Sequence, residues 1–252
     1  MHIILTNDDG HSSPLLRFLI DYLRTIGDVT IVVPKEEQSW TGKSMTRFRP
    51  LHVDEIKLGD SQAFCVDGTP ADCVNLALYN LVPEKPDLVV SGINIGRNTG
   101  VGFAISSGTI GACLEGNIAG IPGIAFSQDL ASDVFSYWSE YRGFRPEDVN
   151  QLAHQAVDLF PRITDYLLDG LCDEPVTWNV NLPQQPAKDC PLTHAYLGHS
   201  LYDSCFEPMG DQYRHNLKSI RPDTRPDSDG EVIKAGHVSL TKIDIREIGR
   251  MG

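Results

Sequence analysis

Several things are missing from this chain of 252 residues, and each absence excludes a class of function. No apolar run approaches the roughly 18 residues of a membrane-spanning helix, and the start, MHIILTNDDG, lacks the basic and apolar regions of a secretory signal. The first residues are therefore expected to enter the fold directly, in a cytoplasmic protein with no membrane partner. Positive charge is scarce, with 21 Lys+Arg against 34 Asp+Glu and a formal net charge of -13. Such a field repels a phosphate backbone unless a basic patch opposes it. The densest basic stretch, Arg47 to Arg49, is soon followed by Asp54 and Glu55, so no nucleic-acid polymer is expected as a partner. The six cysteines (65, 73, 113, 172, 190 and 205) never form a CxxC pair and mostly sit among apolar residues. That argues against a cysteine zinc site or a disulfide framework and for small core hydrophobes in a reducing compartment. GxxxxGK[ST], GxGxxG and GxSxG are absent, which removes the P-loop, the ordinary dinucleotide fingerprint and the serine-esterase elbow. The histidines are scattered, with no HExxH or HxH.

What is present is a globular α/β pattern. Ile3 to Leu5 is too uniformly apolar for a strand with one wet face, and it runs at once into Asn7-Asp8-Asp9-Gly10. Ser12 or Ser13 is placed to cap a helix with Pro14 at its first position. Leu16, Leu19, Ile20, Leu23 and Ile26 then recur at helical spacing. Val29 to Val33 completes a βαβ unit, which makes a parallel sheet the leading architecture. Residues 35–48 are polar and predict a long loop containing Ser39 and Gly42. Leu51 to Ile56 and Ala63 to Val66 predict paired strands around Gly59-Asp60. Thr69-Pro70-Ala71-Asp72 predicts a capped helix running to about Asn80. Leu88 to Val90 predicts another interior strand, with Ser91-Gly92-Ile93-Asn94 opening a glycine-rich loop over 91–108. A small-residue helix follows over Thr109 to Ile118, and a strand over Ile121 to Phe126. A helix over 147–160 and strands at Thr177 to Leu182 and Val238 to Ile243 follow, with irregular or β-rich arms between.

Chemistry concentrates at the strand ends, where open α/β sheets bind ligands. Asp8 and Asp9 can turn their oxygens toward one hard cation, or the Asn7–Gly10 stretch can simply build a tight turn. Asn94 offers a neutral carbonyl ligand or a turn residue, and Ser39 a hydroxyl ligand or a plain surface group. Ser107-Gly108-Thr109 opens a helix whose free N–H groups suit a phosphate, or it caps that helix and lets it pack closely. His11 is an accessory group or an ordinary loop residue. Trp40 stacks on a base or packs its loop, and Glu115 reads as solvated or salt-bridged.

NDDG at 7–10, Ser39 after the second strand, GTPADCV at 68–74, SGIN with the following glycines and Asn98 at 91–98, and SGTIGACLEG at 107–116 together form a recognisable series. NVNLP at 179–183 and GHVSLT at 236–241 continue it more faintly. In order and spacing the series resembles the SurE family, the stationary-phase survival proteins that are metal-dependent 5′/3′-nucleotidases. The resemblance implies an α/β fold, a Rossmann-like core with a mostly parallel sheet flanked by helices and an extended C-terminal β-rich arm. Residues 1–252 would form one domain, with the metal and phosphate loops in 1–130 and completing elements plus an oligomerisation arm in 131–252. It further implies one Mg²⁺ or Mn²⁺ per subunit on Asp8, Asp9, Ser39 and Asn94. Phosphate would meet Asn94, Asn98, Ser107, Gly108 and Thr109, and Asp8 and Asp9 would be the catalytic carboxylates, Asp8 the main one. The implied reaction converts nucleoside 5′- or 3′-monophosphates to nucleoside and inorganic phosphate, in a homodimer or homotetramer. Other small phosphate esters, short polyphosphate, or phosphate-ligand binding without turnover are the alternatives. The chain departs from the family pattern at Ser106, where Tyr or His is usual, and over 190–230.

Overall fold

A computed structural model describes residues 1–250. The chain opens with β1 (His2–Thr6), α1 (Leu16–Leu23), β2 (Asp28–Pro34), β3 (Val53–Leu58), β4 (Ser61–Val66) and α2 (Pro70–Leu76), which ends in a π-turn over Ala77–Leu81. β5 (Leu88–Ile95), α3 (Val101–Ser106), α4 (Gly108–Ile118), β6 (Gly123–Gln128), α5 (Ser132–Tyr141), α6 (Pro146–Leu168) and β7 (Thr177–Leu182) follow. The last part holds β8 (Leu192–His194), β9 (Leu201–Tyr202), β10 (Phe206–Met209), β11 (Gln212–His215), β12 (Ile220–Arg221), α7 (Asp229–Lys234) and β13 (Val238–Ile243).

Nine strands form one mixed, mostly parallel sheet in the order β3-β4-β2-β1-β5-β6-β7-β13-β8. The antiparallel pairs are β3 with β4 and β7 with β13. Two apolar layers cover its faces, and the strand period of two explains why the interior strands are apolar throughout. Ile3 and Leu5 enter the layer with α1 and α6, where Leu19, Phe160 and Ile163 are buried, whereas Ile4 points to the opposite layer with α2 and α4. Val89 repeats the alternation between Leu88 and Val90. The β1, β2 and β5 carboxyl ends are thus brought side by side. Outside the main sheet, β10 pairs with β11 and β9 with β12, giving the β-rich arm. No helix among the described residues is long and apolar enough to cross a membrane.

Local chemistry sets several boundaries as expected. The Thr69 hydroxyl accepts from the Asp72 N–H at 3.1 Å while the Asp72 carboxylate accepts from the Thr69 N–H at 2.9 Å, a reciprocal cap on α2. Other expectations need correction. Ser13 does not cap α1 and Pro14 is not its first residue; the Ser13 N–H bonds the Gly10 carbonyl at 3.2 Å, and the helix starts at Leu16 without a side-chain cap. Ser91-Gly92-Ile93-Asn94 does not leave the sheet. β5 continues through it with a bulge and rejoins β6 at Asn94 opposite Ser127, because the neighbouring strand still offers partners. Gly92 permits this at φ 133, where a Cβ would lie 2.5 Å from the Phe126 carbonyl oxygen. α3 forms inside the expected 91–108 loop. α5 is a further helix, for which Val134, Trp138 and Tyr141 at helical spacing were the available signal. α6 runs past Pro161 to Leu168, since Ile163 and Leu167 are fully buried and their packing outweighs the lost amide bond.

Candidate active site

The turn after β1 is built by Asn7, whose side-chain amide donates to the Gly10 carbonyl at 2.9 Å. Asp8 and Asp9 are thereby left for other partners. The Thr109 hydroxyl donates to Asp8 Oδ1 at 2.6 Å and the Thr109 N–H to Asp8 Oδ2 at 3.1 Å. The Asp9 carboxylate accepts the Ile95 N–H at 3.1 Å, which ties it to the end of β5 beside Asn94. Asp8 is 3% exposed, and neither carboxylate makes a salt bridge among the described residues.

Such burial has an electrostatic consequence. Desolvation pushes the Asp8 carboxyl up to about 6, against the opposing Thr109 hydrogen bonds. Asp9 is raised well above the ordinary carboxylate range, first by burial and then by the neighbouring Asp8 charge. As anions the two adjacent carboxylates repel one another, only partly offset by the charge of Arg142 on Asp9, and a bound cation would relieve that repulsion. Asn94 donates its side-chain N–H to the Gly96 carbonyl at 2.8 Å, which fixes the amide and leaves its single oxygen, Oδ1, as an acceptor. Ser39 Oγ lies on the same cleft wall as Asp8 and donates to Glu37 Oε1 at 2.8 Å. Among the described residues no three His, Cys, Asp or Glu converge. A cation here would accordingly be held by two carboxylates and neutral oxygens, a donor set that suits a hard divalent ion.

The loop carrying Ser39 is fastened at both ends. Its Gln38 N–H donates to the Asp8 carbonyl at 2.7 Å, and Lys43 Nζ pairs with Glu115 Oε2 at 2.5 Å. Glu115 is buried on α4, and its other oxygen accepts from the Asn75 amide at 2.8 Å. Of its two sequence readings, the salt-bridged one holds. His11 Nδ1 contacts the Lys35 carbonyl at 2.9 Å, an ordinary loop role.

α4 presents its N-terminus to Asp8. Ser107 Oγ caps it, accepting the Ile110 N–H at 3.1 Å and also the Asn98 amide at 2.8 Å. With both lone pairs engaged, its own proton remains to be donated. Gly108 sits where the segments meet; a Cβ there would lie 2.8 Å from Asp8 Cβ and 3.1 Å from the Gln38 carbonyl oxygen. Asp8, Ser39, Asn94, Asn98 and Ser107 all line one cleft of about 1210 Å³. Ser106 lines it too, but its hydroxyl turns back to the Gly102 carbonyl at 2.9 Å.

The Survival protein SurE family matches residues 3–203 of the chain. The chain belongs to the SurE family. A protein described as 5′-nucleotidase SurE from Desulfitobacterium hafniense is 36% identical over 247 residues, which cover 96% of this chain and 90% of that protein. A 5′-nucleotidase SurE from Thermofilum pendens is 39% identical over 190 residues, covering 75% of this chain and 68% of its own. The crystal structure of Sure Protein from Aquifex aeolicus superposes with a TM-score of 0.68 at 29% identity, covering 98% of this chain and 97% of that one.

Within this SurE fold, several supporting residues escaped the sequence reading. The Asn98 N–H donates to Asn181 Oδ1 at 2.7 Å, and the Asn98 carbonyl accepts the Asn179 amide at 2.9 Å. Asn179 and Asn181 alternate in buried β7, and two amides on one face of an apolar strand were the available signal. Ser127 at the end of β6 accepts from the Asn98 amide at 3.0 Å. Asp229 of α7 accepts from Gly100 N–H at 2.7 Å and Gly198 N–H at 3.0 Å, anchoring the loop before α3 from a place no motif announces.

Proposed function

We propose that the cleft hydrolyses nucleoside 5′- or 3′-monophosphates to nucleoside and inorganic phosphate, using one Mg²⁺ or Mn²⁺ held by Asp8, Asp9, Ser39 and Asn94. The chain is an enzyme, a hydrolase of the SurE type acting on phosphate monoesters. That coarse activity is supported by the family match and by relatives described as 5′-nucleotidases over most of their length. The finer reading rests mainly on one observation: the adjacent carboxylates Asp8 and Asp9 sit at the end of β1, with Asp8 buried on the cleft wall and bonded directly to the N-terminus of α4.

When bound, the cation supplies positive charge that polarises a phosphoryl oxygen and offsets developing negative charge. The chain's own groups do the rest. Thr109 holds both Asp8 oxygens, so that carboxylate keeps one orientation while it aligns an attacking water or itself meets phosphorus. Asp9, fixed by the Ile95 N–H, serves chiefly as a ligand. The Ser107 hydroxyl and the first-turn N–H of Gly108 donate to the equatorial phosphoryl oxygens, and Asn98 fixes Ser107 for that task. Asn94 completes the phosphate side of the site from the end of β5. Distant carboxylates do not forbid an anionic substrate, because the local cation and N–H groups outweigh a screened field.

Phosphate release from 5′ and 3′ nucleoside monophosphates, with sugar phosphates alongside, tests the reading. Chelator-stripped protein should be silent, and Mg²⁺ or Mn²⁺ should restore release that favours nucleotides. Folded, metal-loaded protein that releases nothing from the panel would move the assignment to ligand binding without turnover.

We also infer a homodimer or homotetramer formed through the arm. Leu201, Phe206, Met209, Tyr213 and Ile220 there are exposed, which is unusual for one small region of a monomer. Sedimentation equilibrium should give twice or four times the 27.8 kDa chain mass; a monomer at micromolar concentration counts against this assignment.

A further inference from the structure

Trp40 is held in a way that mere packing of its loop does not require. Its backbone lies at φ 64, a left-handed conformation that a bulky side chain avoids, yet the ring remains 40% exposed. It follows Ser39 directly and lines the same cleft as Asp8. Three rings from three other segments gather around it. Phe103 of α3 lies 5.8 Å away, Tyr202 of β9 5.6 Å and His215 of β11 5.0 Å, with interplanar angles of 66°, 74° and 59°. None of these is stacked parallel on the indole. The arm strands thus supply two of the rings that brace a tryptophan at the rim of the cleft.

We propose that Trp40, braced by Phe103, Tyr202 and His215, is the platform on which the planar base of the substrate stacks. This inference rests on the nucleotidase reading and names the part of the cleft that recognises the nucleoside. Stacking on an indole draws on the π-face that every base possesses, so the platform favours nucleotides over base-free phosphate esters without selecting strongly among bases. The strained backbone of residue 40 fixes where the ring stands relative to Ser39, one residue away.

Trp40→Gly removes the ring at a position whose φ suits glycine, so the fold should tolerate it. The ratio of kcat/KM for nucleoside monophosphates to that for ribose 5-phosphate should fall about tenfold, carried mainly by KM. Trp40→Phe should keep most of the ratio. An equal change on both substrate classes, or no change on either, overturns the platform. A second readout needs no turnover. Trp138 and Trp178 are buried, at 9% and 3% exposure, so adenosine should quench the exposed Trp40 saturably in wild-type protein and not in Trp40→Gly. Absence of quenching in wild type also overturns it. Quenching by adenosine in a protein that hydrolyses no ester would uphold the platform while the nucleotidase reading fell.

Discussion

Asp8→Asn should lower phosphate release by about 10³-fold or more while leaving the fold intact. The reasons lie in the contacts of that one side chain. Asn is nearly isosteric, and its amide oxygen can still accept from the Thr109 N–H, while the Thr109 hydroxyl can turn to accept from the new NH₂. What is lost is the negative charge that a divalent ion requires and the carboxylate that would align water or meet phosphorus. Stability carries a second signature. The Asp8 pKa is raised from 3.8 to about 6 in the metal-free fold. Because the folded value is the higher one, the contribution of this group to stability is complete below about 3.8 and is lost as pH rises through about 6. In chelator, the Tm of wild type relative to Asp8→Asn should therefore fall between pH 4 and pH 7. Mg²⁺ or Mn²⁺ should restore the wild-type value at the upper end, because the cation binds the ionised carboxylate. A Tm difference flat with pH, or a variant with wild-type rates, would be incompatible with a buried, metal-binding Asp8.

Gly108→Ala should cost about 10²-fold in kcat with only about 1–3 kcal/mol of stability. The added methyl would meet Asp8 Cβ at 2.8 Å, Asp8 Oδ2 at 3.1 Å and the Gln38 carbonyl oxygen at 3.1 Å. Two of those atoms belong to the carboxylate residue, and the third to the strap that accompanies Ser39. The helix cannot back away freely, since Thr109 and Ile110 behind it are buried. The displacement therefore falls on Asp8, and a shift of about 1 Å there is expensive in rate. Steady-state kinetics and thermal unfolding of the same sample separate the two effects. A variant that loses stability heavily but keeps kcat would show the contact to be ordinary packing.

Much of the fold was legible because local chemistry and tertiary need agreed. The apolar runs of β1, β2 and β5, the Thr69–Asp72 cap and the small residues of α4 each have one physical reading. Where the two diverged, the tertiary context won. Pro161 marks an end in isolation, but Ile163 and Leu167 keep α6 going by burying themselves. Ser91 to Asn94 looks like a loop until β6 is placed beside it. α3 is six residues long and begins among glycines that suggest a loop, whereas α5 carries a helical signal in Val134, Trp138 and Tyr141. At the site, Asp8, Ser39 and the 94–107 stretch with Asn94, Asn98 and Ser107 come from three separate parts of the chain yet line one cleft, and chain order alone could not have shown their mutual contacts.

The division between what the sequence decided and what the tertiary structure decided is a division between kinds of interaction. Hydrophobic periodicity, caps and turn residues act over a few positions, so the residues themselves determined the βαβ order, the acidic turn after β1 and the family series that runs through it. That Thr109 bonds Asp8, that Glu115 pairs with Lys43 and that rings gather around Trp40 depend on partners up to 175 residues away, such as His215. Those partners meet only when the sheet brings the carboxyl ends of its strands together and the arm folds back over them.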